Sequence, residues 1–405
     1  MNSKQGEHMK IRFDRMEWAG SMGDLGTLLP LAFGMIMING LSATGLFLTV
    51  GLMYVLAGYY YRVPVAVQPM KVVAAYGIAM ALSPGVITAS GMLLAAVLLI
   101  LGATGLVDIV ARVVPRQVIR GVQLATGVLL LSKGASLVAG TNSFQTMRGA
   151  VEPFLAVQAL GPVPMSVVMG VLFGVITLFL LRNHRFPAGL VVVGLGALFG
   201  LGLGAWRELT AIQPGLHLPE ILPFGLPSGM DFSYALVALV APQIPMTMGN
   251  AVIANRDLSF EYFGTESRRV TNRALCLSMG LANVFASLVG GMPVCHGAGG
   301  LAAHYAFGAR TSGSNLIIGG LFVGLAVFLG SGSVNVLHLL PMGVLGVLLF
   351  FAGTQLALTI QDVSSRSDLF IVIVMLGITL TANLAWAFGA GIGLAYLLKK
   401  GSINI

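Results

Sequence analysis

Charge is scarce in this chain. Asp, Glu, Lys and Arg together make up 9% of its 405 residues, against about 25% in a soluble domain. A water-soluble globular protein is excluded, and no stretch is polar enough or long enough to form a separate soluble domain. Cysteine is scarce too. Cys276 and Cys295 are the two present, both in or beside apolar segments, and they form neither a metal-ligand spacing nor a disulfide framework. There is no Walker-type phosphate loop, no zinc-protease motif and no serine elbow. An ATP-driven pump and an enzyme are therefore not expected, nor is a metal or other cofactor. The opening MNSKQGEHMKIRFDRMEW lacks the apolar core of a cleavable signal, so the first hydrophobic segment is expected to be retained.

What the chain does have is apolar length. Hydrophobic residues are 57% of the sequence, and the mean hydropathy is +0.92. A spanning helix needs roughly 20 apolar residues. The pattern predicts an all-α integral membrane protein with spans near 18–37, 43–60, 68–82, 86–111, 117–139, 163–181 and 187–205, then 233–253, 271–289, 296–306, 315–330, 341–360, 368–380 and 382–398. Residues 1–17 form an amino-terminal segment and 18–205 a first membrane unit. Residues 206–232 are an outer connection, 233–398 a second unit and 399–405 a short tail.

The basic residues test this layout. With the amino terminus in the cytoplasm, 18 of the 22 Lys and Arg fall on the cytoplasmic side. Lys133, Arg148 and Arg207 fall outside, and Lys71 alone remains within a span. A missed crossing would reverse the sign of every later loop, so the split supports an even number of spans with both termini inside. The net charge of +8 then reads as topology and attraction to anionic lipid, not as nucleic-acid binding. The outer connections around 140–162 and 206–232 could lie along the interface. Asp108 and Arg112, four apart near a cytoplasmic helix end, read as a local ion pair.

One segment occurs twice. Residues 51–76 read GLMYVLAGYYYRVPVAVQPMKVVAAY and residues 280–305 read GLANVFASLVGGMPVCHGAGGLAAHY. At a constant offset of 229, eight positions are identical, including Pro64/Pro293 and Val65/Val294. Each copy runs from an apolar helix through Pro-Val into a stretch of small and polar residues, then a short apolar piece. Spans three and ten are too short to cross alone, as expected if each follows an extended strand. Paired interruptions in two halves of a membrane protein point to the binding site of a secondary transporter.

Four strings carry a resemblance: G-D-L-G-T-L-L-P-L at 23–31, P-V-A-V-Q-P-M-K at 64–71, P-Q-I-P-M-T-M-G-N-A at 242–251 and P-V-C-H-G-A-G-G-L-A-A-H-Y-A-F-G-A-R at 293–310. Together they resemble the bacterial and plant molybdate-transporter family, a branch of the sulfate-permease superfamily, over essentially the whole chain. The resemblance implies two inverted repeats of seven spans, a fold shared with uracil permeases, with half-helices 3 and 10 meeting at mid-membrane. It further implies a core of spans 1–4 and 8–11 moving against a scaffold of spans 5–7 and 12–14. Many sulfate permeases append a cytoplasmic regulatory domain. This sequence ends at Ile405 without one, a departure that fits the molybdate branch.

A half-helix starting inside the membrane exposes unpaired N–H groups and the positive end of its dipole, which suits an anion. The candidate substrate-binding residues are Gln68, Met70, Lys71, Thr27, Gln243, Thr247, Asn250, Cys295, His296, Gly297, Ala298 and Gly299. The glycines of H-G-A-G-G would let oxygens approach backbone, although membrane glycines often serve helix packing. Lys71 either faces the anion or pairs with Asp24. Gln68 either donates to an oxyanion or caps free N–H groups. Gln243, Thr247 and Asn250 share one helix face, as cavity lining or as packing glue. Asp24 and His296 are the proton-coupling candidates, with a fixed ion pair or cap as the alternative for Asp24. His304 reads as packing.

The expected function is secondary uptake of a tetrahedral oxyanion, molybdate first, with sulfate or another dianion as the alternative and a nucleobase permease or anion channel behind it. The expected partners are the oxyanion, membrane lipid and a second copy in a homodimer, in the plasma (inner) membrane.

Overall fold

The computed structural model describes residues 11–107, 115–180 and 188–399; the Asp108–Arg112 pair lies outside them. The described chain is mostly helical. In the first half the helices are α1 (Arg15–Ser21), α2 (Leu25–Met37), α3 (Ala43–Tyr61), α4 (Lys71–Met80), α5 (Pro84–Thr104), α6 (Arg116–Ala139), α7 (Ser143–Arg148), α8 (Met165–Leu180), α9 (Ala188–Gly200) and α10 (Trp206–Leu209). In the second they are α11 (Gly229–Ala235), α12 (Ala241–Met246), α13 (Ala254–Phe263), α14 (Asn272–Leu288), α15 (Ala298–Ala306), α16 (Gly313–Leu329), α17 (Ser333–Leu337), α18 (Met342–Ala357), α19 (Arg366–Thr381) and α20 (Leu384–Lys399). Side chains before the apolar runs set several starts: Ser42, Ser83, Thr271 and Ser365 each accept a first-turn N–H. Among the described residues, seven helices are long and apolar enough to cross a membrane alone, or eight with the bent α1–α2 pair. This is a multi-pass membrane protein.

Two spans differ from the sequence expectation. The first is not one helix over 18–37. It breaks at Met22–Asp24 and bends by 41°. Gly23 lets this break pack closely against α15, since a Cβ there would sit 2.7 Å from the Ala303 carbonyl oxygen. The eighth is longer than 233–253, running from Gly229 to Phe263, but it is not uniformly α. π turns at Leu236–Val240 and Thr247–Ile253 flank α12. Pro242 and Pro245 remove two N–H donors there, and the ladder accommodates the loss by widening its turns. Lys133 also lies inside α6, so Lys71 is not the one basic residue within a long helix.

The 229 offset reaches well beyond the repeated strings. It carries the starts of α3, α4, α5 and α6 onto those of α14, α15, α16 and α18 to within a few residues. Packing follows the same correspondence. The three most extensive helix contacts are α6 on α18, α3 on α16 and α14 on α5. The first joins two corresponding helices, and the other two are each other's counterparts. Small residues permit the close approach: Gly127 and Gly134 of α6 lie against Gly353 and Gly346 of α18.

Between these helices two extended stretches cross. Strand β1 (Gln68–Pro69) pairs antiparallel with β4 (Val294–Cys295), Gln68 opposite Cys295 and Pro69 opposite Val294; a separate hairpin joins β2 (Ala159–Leu160) and β3 (Val163–Pro164). This register centres on Val67 opposite His296, the same two positions that the offset equates. Pro64 and Pro69 hold the first stretch extended. The outer edges are braced alike. Asn315 accepts from Val65 N at 3.2 Å and donates to Val65 O at 2.7 Å. Asn283 accepts from Val294 N at 2.8 Å and donates to Val294 O at 2.9 Å. Val65 and Val294 are corresponding residues.

Asn315→Ala should therefore destabilise the protein by about 1–3 kcal/mol for each buried backbone group left unpaired. The midpoint of thermal unfolding in detergent should drop, and Asn315→Asp, which accepts but cannot donate, should fall between. An unchanged midpoint for Asn315→Ala would remove this brace from the account.

Candidate functional site

Each extended stretch ends at a helix start that lacks a side-chain cap of its own. Helix α4 begins at Lys71 after Met70, and α15 begins at Ala298 after Gly297. Met70 N donates to Pro293 O at 2.9 Å, tying the first start to the second stretch. Beyond Lys71, two donors of α4 meet a neighbour's side chain. Gln243 Oε1 accepts from Val72 N at 2.9 Å and Val73 N at 3.3 Å, while its Nε2 donates to Thr247 Oγ1 at 2.9 Å. Gln243 and Thr247 thus share a face, and that face serves α4. Asn250, three residues on, is half-buried.

The start of α15 is more open. Gly300 N and Leu301 N both donate to Gly297 O, while the N–H groups of Ala298 and Gly299 find no acceptor among the described residues. Gly299 is exposed although Ala298 and Gly300 on either side are buried. A Cβ on Gly299 would meet nothing within 4 Å. The first turn of α15 therefore presents backbone to open space at one residue.

The other glycines of the motif are filled by their neighbours. A Cβ on Gly297 would lie 1.7 Å from Gln68 Oε1, and one on Gly300 2.5 Å from Asp24 Oδ2. Gln68 and Asp24 are bonded to each other, Nε2 to Oδ1 at 2.7 Å. Gln68 is thus no cap; that role belongs to Gln243. Asp24 sits in the α1–α2 break, 2% exposed, and its Oδ2 has no partner among the described residues. The Asp24–Lys71 ion pair considered from the sequence is not formed. Lys71 is half-buried at the mouth of α4, within electrostatic reach of Asp24 and Cys295 but bridged to neither. Gln68 lies beside Asp24 in the interior and takes the partnership that Lys71 does not. Thr27, one turn beyond Asp24, is half-buried on the same side.

Cys295 is buried, its Sγ 3.8 Å from Pro69 O. His296 is fully buried. Its Nδ1 must donate to Ala66 O, at 2.9 Å, so Nε2 of the neutral ring faces Ser278 Oγ at 2.9 Å as acceptor. Tyr61 Oη lies 2.8 Å from the same Ser278. The ring therefore braces the crossing and does not line the opening at Gly299. His304 bonds Gly20 O and Tyr54, a packing role. Chemically, the start of α15 offers unpaired N–H groups and the positive end of a helix, and Lys71 stands at the corresponding start of α4. That set suits recognition of an anion by hydrogen bonds.

Sequence reasoning missed Glu17, Asn283, Asn315, Tyr54 and Ser278. Glu17 is buried against the start of α16, accepting from Arg310 N, Thr311 N and Ser314 N. Glu152, in an outer connection, does the same for Met342 N and Gly343 N of α18, and burial pushes its carboxyl up to about 7. A signal was present for Asn283 and Asn315, since an amide inside an apolar span needs an interior partner. Which partner is a matter of tertiary contact.

Comparison with known proteins agrees with this picture. A family model described as "Molybdate transporter of MFS superfamily" matches residues 16–130 and 235–356. The chain is 32% identical to molybdate transporter 2 of Arabidopsis thaliana over 420 residues, covering 96% of this chain and 88% of that one. In fold it is similar to the transmembrane domain of the cyanobacterial bicarbonate transporter BicA, with a TM-score of 0.66, 18% identity and coverage of 95% of this chain and 98% of that one. It is also similar to the murine Slc26a9 anion transporter in the inward-facing state, with a TM-score of 0.65, 15% identity and coverage of 98% and 70%. The superfamily named in the family description and the fold likeness point different ways. The likeness spans nearly the whole chain and decides the fold, which is the one these two transporters share.

Two adjacent glycines should respond in opposite ways. Gly300→Ala forces a methyl against the Asp24 carboxylate and Ala66 and should destabilise the protein by about 1–3 kcal/mol. Gly299→Val should leave the unfolding midpoint unchanged yet abolish oxyanion binding, because the branched side chain fills the open space. Normal oxyanion binding by Gly299→Val, read by calorimetry, would show that the opening is not the site.

Proposed function

The chain belongs to the molybdate-transporter family, and on that premise we propose that it is a secondary transporter of a tetrahedral oxyanion, molybdate first. Its relatives are transporters, not enzymes. The observation that carries the reading is the exposed backbone of Gly299 at an uncapped helix start; Lys71 stands half-buried at the corresponding start of α4. Molybdate is a dianion with four oxygens. It accepts from the N–H groups of Ala298 and Gly299, while Lys71 supplies a full positive charge and Thr27 and Asn250 supply further polar contacts. A nucleobase would not need Lys71.

The fourteen segments form two inverted repeats of seven, and the starts of α4 and α15 meet near mid-membrane. The common centre of the strand register and the 229 offset supports this symmetry. A core containing α1–α5 and α11–α16 moves against a scaffold built on α6 and α18, giving alternating access. Asp24 carries the coupling proton: its Oδ2 is buried, lacks a partner and touches the first turn of α15. A dianion entering a negative interior needs such coupling. Both termini lie in the cytoplasm, and the host membrane is the plasma membrane.

The test is uptake of labelled molybdate into proteoliposomes, competed by sulfate, tungstate, phosphate and uracil. Molybdate and tungstate should compete, and uracil should not. Competition by uracil alone would overturn the oxyanion reading, and preferential uptake of sulfate would replace molybdate within it.

Lys71→Met should weaken molybdate binding roughly ten- to a hundredfold, the loss of one charge-assisted contact, with insertion and unfolding midpoint preserved. Normal affinity would leave the helix starts as sufficient. Asp24→Asn should keep binding but lose concentrative, proton-driven uptake. Retained proton-driven uptake would take Asp24 out of the coupling.

A further inference from the structure

Helices α3 and α14 leave between them an apolar cleft of about 450 Å³, separate from the opening at Gly299. Because the two helices correspond under the 229 offset, so do their walls: Thr49 with Ser278, Leu52 with Leu281 and Leu56 with Phe285. Leu56 is 65% exposed and Leu281 63%, so the cleft opens outward along hydrophobic surface. Hydrocarbon, not water, suits such a slot.

One end of the cleft is basic. Arg62 follows the last turn of α3, and Arg268 and Arg269 lie in the turn before α14. Arg62 adopts a left-handed conformation, φ 65°, at a position where glycine would be easiest. Its guanidinium lies 5.0 Å from the centre of the Tyr59 ring. Arg269 donates to Tyr60 O, and Tyr60 lines the cleft. Arg268 is exposed and in no ion pair among the described residues. Glu266 is the one carboxylate in residues 264–273. By the distribution of charge along the chain, this is the cytoplasmic end. The inner wall holds Tyr61 and Ser278, the two hydroxyls that lead to His296 and so to Ala66 in the crossing.

We propose that the cleft is a binding site for one anionic phospholipid of the cytoplasmic leaflet. An acyl chain lies between α3 and α14, and the phosphate is held by Arg62 and Arg268, with Arg269 beside them. A long apolar slot with positive charge at one end matches an amphiphile whose negative group sits at one end of its chains. The seated chain sets the separation of α3 and α14. Through Ser278 and His296 that separation reaches the strand that leads to Lys71, so the lipid tunes the transport site from outside it.

The experiment uses the full chain in nanodiscs with phosphatidylglycerol carrying a photoactivatable acyl chain, and phosphatidylcholine with the same chain as control. Labelling by phosphatidylglycerol should map to residues 49–61 and 274–285 and exceed that by phosphatidylcholine. Arg62→Gly with Arg268→Gln should weaken it roughly thirtyfold at limiting lipid, about fivefold for each basic residue removed. Glycine suits the left-handed backbone, so this variant keeps its fold. Ala282→Trp, which fills the cleft, should abolish labelling; if that variant does not insert, the arginine pair still decides. Equal labelling by the two lipids, labelling elsewhere, or cross-links between two copies at α3 and α14 would overturn the proposal.

Discussion

Lipid offers no partner to a backbone N–H or C=O, so non-helical chain can exist inside a membrane protein only where protein satisfies it. The two stretches that cross at Val67 and His296 meet that demand with each other and with side chains. Their inner edges pair as strands. Their outer edges are held by Asn283 and Asn315, each of which supplies both a donor and an acceptor to a corresponding valine. His296 takes the carbonyl of Ala66, and Asn255 takes that of His296. Gln68 and Asp24, bonded to each other, stand apart from this task.

The open site is defined by what this bracing leaves over. Gln243 accepts from Val72 and Val73 in the first turn of α4, and among the described residues no neighbouring side chain does the same for Ala298 and Gly299 of α15. The two helix starts therefore differ although their sequences correspond. One is closed by a neighbour's amide and carries a lysine. The other is bare backbone. An anion bound as proposed above would meet a charge on one side and directional donors on the other. The asymmetry gives such a ligand a defined orientation, which two identical ends would not.

Much of this was legible in the sequence. Apart from the broken first span and the extended eighth, the apolar runs became helices near their expected positions, because continuous hydrophobic length admits few other outcomes in a membrane. The repeat at 229 marked where the chain would unwind, since Pro64 and Pro293 recur in register and proline removes a backbone donor. The oxyanion family was visible in the strings around Asp24, Gln68, Gln243 and His296. The side-chain assignments were less so. Lys71 and Asp24 have opposite charge and suggest an ion pair, but Asp24 bonds Gln68. His296 lies beside the site in sequence, yet its ring points to Ala66 and Ser278.

Sequence by itself determined the solvent, the helical pattern and the positions of the two interruptions, because composition and local periodicity act over a few residues at a time. Tertiary structure alone decided which polar groups are consumed by the fold. Gln243 is 171 residues from the N–H of Val72 that it caps, and Asn315 is 250 from Val65. Whether a buried amide binds a ligand or braces a strand depends on which distant backbone group reaches it first, and that is settled only when the helices pack.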